Sequence, residues 1–150
     1  MVNIVHEPLL GFRGRTHGST VWTRGMAGHP RTVKLNAEGF HDHERTRDVP
    51  PGMRRVAFVG DSFLEAYQVE IDAGFSQSVA RRLTNRARSE GYAVEAVNQG
   101  VHGYGLGAYA LQVDGRLSAW HPDMVVLCLF LGNDLHDNFT AVASPAVPRF

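Results

Sequence analysis

Arg55-Val-Ala-Phe-Val59-Gly60-Asp61-Ser62 is the stretch on which the fold turns. Five β-prone residues stop at a glycine, and a small polar cluster follows at once. Downstream the pattern alternates. Asp72 is the expected cap of a helix reaching about Glu90, with Phe75, Val79 and Leu83 at spacing four and Gly91 as its stop. Arg81, Arg82, Arg86 and Arg88 are expected on its solvated outer face. Ala93-Val-Glu-Ala-Val97 reads as a second strand. Leu106, Tyr109, Val113, Leu117 and Trp120 recur at helical spacing until His121-Pro122. Met124 to Leu131 is continuously apolar, which predicts a central parallel strand covered on both faces. Strands alternating with helices predict a doubly wound, three-layer α/β sheet of flavodoxin-like type.

Residues 1–53 read differently. Glycine, proline, histidine and arginine are frequent, no helical period persists, and Asp48-Val-Pro-Pro-Gly52 closes the segment. The expectation is a lead-in of loops with one short strand near Thr32–Leu35, followed by the α/β domain over 54–150. A chain of 150 residues supports one core. With 15 basic and 15 acidic residues the net charge is +0, so no overall field recruits nucleic acid. Cys128 is the only cysteine, which excludes an intrachain disulfide and points to a small buried hydrophobe. No secretory signal is visible at the start, and the longest apolar run is too short to span a bilayer.

In open α/β sheets ligands bind at the carboxyl ends of the strands. Three polar clusters are expected there: Gly60-Asp61-Ser62, Asn98-Gln99-Gly100 and Gly132-Asn133-Asp134. Together they bring a hydroxyl, a glycine amide and a carboxamide to one edge. Acyl transfer needs such a set: a serine to attack a carbonyl, and N–H donors to meet the developing oxyanion.

These three blocks, in this order, resemble those of the SGNH (GDSL-type) hydrolase superfamily. Leu35-Asn36-Ala37-Glu38-Gly39-Phe40, with Glu44, is similar to the lead-in of a bacterial branch of it. The likeness covers residues 35–139. It implies an SGNH fold, Ser62 as nucleophile, and an oxyanion hole of the Ser62 N–H, the Gly100 N–H and Asn133, with no cofactor. It implies structural roles for Asp61 and Asp134, and an ester or acyl substrate of small-molecule, lipid or carbohydrate type. Members often carry glycine four residues after the serine, where this chain has Ala66, a change expected to narrow the pocket. The superfamily's C-terminal Asp-x-x-His, which supplies the base, has no counterpart among the 150 residues. The sequence therefore reads as an N-terminal portion, truncated after the third core strand, whose exposed sheet edge invites self-association. His102 and His136 lie near the right strand ends and are expected to line the pocket or the surface rather than serve as base.

Other features have blander readings. His41-Asp42-His43-Glu44 has metal-ligand composition, but a turn is expected, with Glu44 paired to a local arginine. Gly103-Tyr-Gly105-Leu-Gly107-Ala108 fits a relaxed dinucleotide fingerprint, yet no acidic strand end follows about 20 residues later, so a flexible loop beside Gly100 is expected. Trp22 and Tyr104 are candidates to stack on a sugar or base, whereas Tyr109 and Trp120 belong to the core. An acyltransferase, a non-catalytic SGNH-like module and a nucleotide-binding domain are the alternatives to an esterase.

Overall fold

The computed structural model describes residues 4–23 and 30–134. The lead-in contains more regular structure than expected. β1 (Ile4–Glu7) pairs antiparallel with β2 (Gly11–Gly14), and β3 (Ser19–Trp22) with β4 (Arg31–Lys34). Each strand has four residues, too few for a period of two to stand out among glycines and arginines.

The domain itself is mixed α/β. β5 (Met53–Gly60), β6 (Ala93–Gly100) and β7 (Met124–Cys128) form a parallel sheet in the order β6-β5-β7. Between them lie α1 (Ser62–Glu65), α2 (Phe75–Ala87) and α3 (Leu106–Gly115), with 3-10 turns at Ile71–Ala73, Arg88–Glu90 and Leu117–Trp120. Alternation along β5 divides the core. Val56 and Phe58 pack with Leu64, Ala80 and Ala96 on one face; Ala57 and Val59 pack with Tyr104, Ala108, Tyr109 and Leu117 on the other. Leu10, Phe12 and Phe40 of the lead-in join the second cluster, so hairpin and sheet share one core.

Several expectations need correction. β5, not β7, is the central strand. β7 stops at Cys128 and lies at the sheet edge, where Met124, Leu127 and Leu129 are exposed and Leu131 reaches 75%. A continuous apolar run records burial potential, but which neighbours flank it is decided by strand order. β6 continues through Asn98, Gln99 and Gly100, so that cluster is the end of the strand rather than the turn after it. The cap of α2 is Gly74, because Asp72 falls in a preceding 3-10 turn. The buried side of α2 is Ser76, Ala80 and Ala87. Phe75 is 56% exposed, lining an apolar groove of about 500 Å³ with Phe63 and Val126–Phe130, along the open flank of β7. Cys128 is half-buried and packs against the first cluster. No helix among the described residues is long and apolar enough to cross a membrane.

One polar residue holds these parts together. Arg55 is fully buried in β5, directly opposite Glu95 in β6. Its guanidinium bonds the Glu95 carboxylate (Nε 2.8 Å, Nη2 2.6 Å) and donates to the carbonyls of Thr46 (2.9 Å), Arg47 (2.7 Å) and Trp120 (2.7 Å). Every N–H face of the fork is therefore used, the condition under which a buried cation is tolerable. Replacing Arg55 by methionine leaves the buried Glu95 with only Arg45, at 3.6 Å, and strands the carbonyls that the guanidinium satisfies. We expect a loss of about 3–5 kcal/mol of stability in urea unfolding, much of it recovered when Glu95→Gln is added.

Candidate active site

Three strand ends meet at one edge of the sheet. Gly60 lies level with Gly100 on one side and with Cys128 on the other, so Ser62, the residues after Gly100 and the loop after Cys128 leave the sheet together. Asp61 caps α1: its Oδ1 accepts the Phe63 N–H at 2.9 Å. Ser62 thus begins the helix, half-buried, and its N–H has no acceptor among the described residues. Phe63 turns outward and its ring meets that of Phe130 at 4.2 Å, drawing the loop that bears Asn133 toward α1. Asp134 is buried and its Oδ2 accepts the Phe130 N–H at 2.8 Å. Both aspartates therefore shape loops.

Gly100 is held tightly. A Cβ at this position would fall 2.7 Å from the Leu64 carbonyl carbon and closer still to the Glu65 nitrogen, so only glycine lets β6 end against α1. Its N–H donates to Asn98 Oδ1 at 2.9 Å, while Asn98 Nδ2 donates to the Leu64 carbonyl at 2.9 Å. The Gly100 amide is thereby committed within the strand end. Gly103, at φ +76°, is exposed, and its N–H has no partner among the described residues.

Ser62 opens on a cavity of about 180 Å³ lined by Trp22, Glu65, Tyr67, Gln68 and His102. Glu65 lies one helical turn beyond Ser62, with its side chain buried, and meets His102 Nδ1 with both carboxylate oxygens at 3.1 Å. The Tyr67 hydroxyl also bonds this carboxylate. The hydrogen bond to Glu65 raises the pKa of His102, its charge adding to the effect against the opposing influence of burial. The sequence reading placed His102 near the site but missed Glu65, Tyr67 and the Gly103 amide. The spacing of Ser62 and Glu65 was the one available signal. His136 lies outside the described residues.

The residues just upstream brace this arrangement. His41 Nδ1 bonds the Glu65 carbonyl at 2.8 Å, and burial lowers its pKa. Asp42 Oδ2 accepts the Asn98 N–H at 2.9 Å along the free edge of β6, and Oδ1 accepts from Gln77 at 2.6 Å. Burial pushes its pKa up to about 6. His43 meets Asp72 at 2.7 Å. Glu44 pairs with His17 and the Ala37 N–H rather than with an arginine. Among the described residues no cluster of three metal-ligating side chains occurs.

Ala66 has a different consequence from the one expected. It ends α1 in the left-handed conformation (φ 53°, ψ 47°) and is not among the residues lining the cavity. An alanine here is strained in its backbone and does not set the width of the cavity.

No family model matches this chain, and no curated protein matches it.

Two measurements follow from this geometry. Because left-handed alanine is strained, Ala66→Gly should be neutral to stabilising by about 1 kcal/mol in urea unfolding; a clear loss would show that the Ala66 methyl contributes packing instead. His102 should titrate above 6.5 by NMR, and Glu65→Gln should move it down. A folded-state pKa raised in this way stabilises the fold at low pH, and that contribution disappears as pH rises through the folded pKa.

Proposed function

We propose that this chain carries the catalytic core of an SGNH-type serine ester hydrolase, with Ser62 as nucleophile. The observation that carries the reading is the register of the three strand ends, Gly60 beside Gly100 and Cys128, which gathers the polar blocks at one sheet edge. Such an edge is where open parallel sheets bind ligands.

In this reading Ser62 Oγ attacks the ester carbonyl carbon, and the carbonyl π electrons move onto oxygen. The oxyanion is met by the Ser62 N–H, unspent at the start of α1, by the Asn133 carboxamide and by an amide of the loop after β6. Gly103 has the unpartnered N–H for that third place, and Gly100 acts as the close-packed floor that lets α1 approach. Collapse of the tetrahedral intermediate breaks the C–O bond, and the alcohol leaves with the proton that Ser62 gave up. Water or a second alcohol then takes the acyl group from Ser62. The SGNH resemblance assigns the proton-accepting role to a histidine of an Asp-x-x-His element, which these 150 residues do not contain.

A fluorophosphonate probe tests this reading directly. In the complete protein Ser62 should be labelled, and Ser62→Ala should abolish labelling. Asn133→Ala should slow it by about 100-fold, the order seen when one oxyanion donor is removed. A well-folded complete protein that takes no label would instead favour the non-catalytic, SGNH-like binding module.

A further inference from the structure

We propose that the cavity beside Ser62 is an acyl pocket for a short aliphatic chain of up to about six carbons, and that Trp22 sets this limit. The inference rests on Ser62 as nucleophile, because it concerns the group that Ser62 carries between the two steps of the reaction.

The first argument is the chemistry of the walls. The surface they present to the cavity is almost wholly apolar. The polar groups nearby are spent on one another: the Glu65 carboxylate meets His102 Nδ1 with both oxygens at 3.1 Å and also bonds the Tyr67 hydroxyl. Trp22 Nε1 is buried, so the indole surface that meets the cavity is carbon. Gln68 is exposed and keeps its carboxamide in water. A hydrocarbon chain leaves no polar group unpaired in such a space and gains by leaving water.

The second argument is which half of the ester belongs there. Ser62 itself lines this cavity, whereas the larger groove along β7 is lined by its neighbours Asp61 and Phe63 and not by Ser62. After the first step the alcohol departs and water must reach the carbonyl carbon, while the acyl group stays bonded to Ser62 Oγ. The space next to the hydroxyl therefore suits the half that remains.

The third argument is size. About 180 Å³ holds roughly six groups of water size at ~30 Å³ each, room for a butyryl or hexanoyl group but not for a fatty chain. Tyr67 is buried, with the Trp22 ring edge to face at 6.1 Å and the His41 ring at 5.4 Å. Trp22, half-buried at the end of β3, is the bulkiest side chain of the lining, and its loss would enlarge the space most.

The experiment measures kcat/KM of the complete protein on p-nitrophenyl acetate, butyrate, hexanoate and decanoate. Each methylene buried should raise kcat/KM about fourfold between acetate and butyrate. Beyond hexanoate the surplus must displace packed side chains, and decanoate should fall about tenfold below the best ester. Trp22→Ala should raise the decanoate-to-butyrate ratio about tenfold, and Trp22→Phe, a milder change, should raise it less. In methyl, butyl and octyl acetates, which vary the alcohol, no such cut-off is expected. The profile of the unaltered protein needs no variant to fold, and on its own a rise that continues to decanoate overturns the proposal. An unchanged ratio in folded Trp22→Ala, or a cut-off in the alcohol series instead of the acyl series, overturns it as well. In each of those outcomes Ser62 still takes the fluorophosphonate label and the esterase reading stands. A complete protein that neither hydrolyses these esters nor takes the label overturns both.

Discussion

A single buried cation sets the terms for the rest of the molecule. Arg55 sits in the central strand where a hydrophobe would ordinarily stand, and its charge is tolerable only because Glu95 and four backbone carbonyls, those of Thr46, Arg47, Asp48 and Trp120, converge on it. Those carbonyls come from separate places: Thr46, Arg47 and Asp48 in the lead-in, and Trp120 in the turn after α3. The requirement to satisfy one guanidinium therefore fixes where the lead-in crosses the sheet. Arg47 lies over the Trp120 ring at 4.5 Å and extends the same cluster. With the chain anchored there, residues 41–44 pass the free edge of β6, where Asp42 takes up the Asn98 N–H. Without that anchor His41 would not reach the Glu65 carbonyl, and the turn that carries Ser62 would lose its brace.

The parts legible from sequence were those encoded locally. Short β-prone runs ending in glycine marked the three parallel strands, and the polar blocks marked their ends. Those signals need only a window of about ten residues. What was not legible depends on partners far along the chain. Phe75, Val79 and Leu83 look like the inward stripe of α2, yet only Val79 packs on the core; Phe75 and Leu83 are exposed, and Ser76, Ala80 and Ala87 are the residues α2 buries, small side chains that allow close approach. The run from Met124 looks central, yet the strand order leaves it at the edge. The buried Arg55 gave no warning, because an arginine before Val56 is equally the exposed first residue of a strand.

The candidate site divides in the same way. Ser62 and Asn133 were visible as residues of the right kind after strand-like runs. The pairing of Glu65 with His102 spans 37 positions and appears only once α1 is pressed against the end of β6. Its electrostatics also follow from packing. A carboxylate this buried remains acceptable because an imidazole and a phenol both bond it, and the same contact biases the imidazole toward its charged form.

The close approach at Gly100 has a mechanical consequence. With no side chain between them, the start of α1 and the end of β6 behave as one body, so Ser62, Glu65 and His102 keep their mutual geometry. Trp22 reaches the cavity from elsewhere, on the β3–β4 hairpin, where it packs with Val33 of β4, Leu35 and Tyr67 in a cluster of their own. One wall thus belongs to α1 and the end of β6, and the other to a separate ribbon. Exchanging the ribbon would alter one wall of the cavity while leaving the Ser62 turn undisturbed. Such a division lets the cavity's shape drift in evolution, or be rebuilt by design, without disturbing the strand ends that gather beside it.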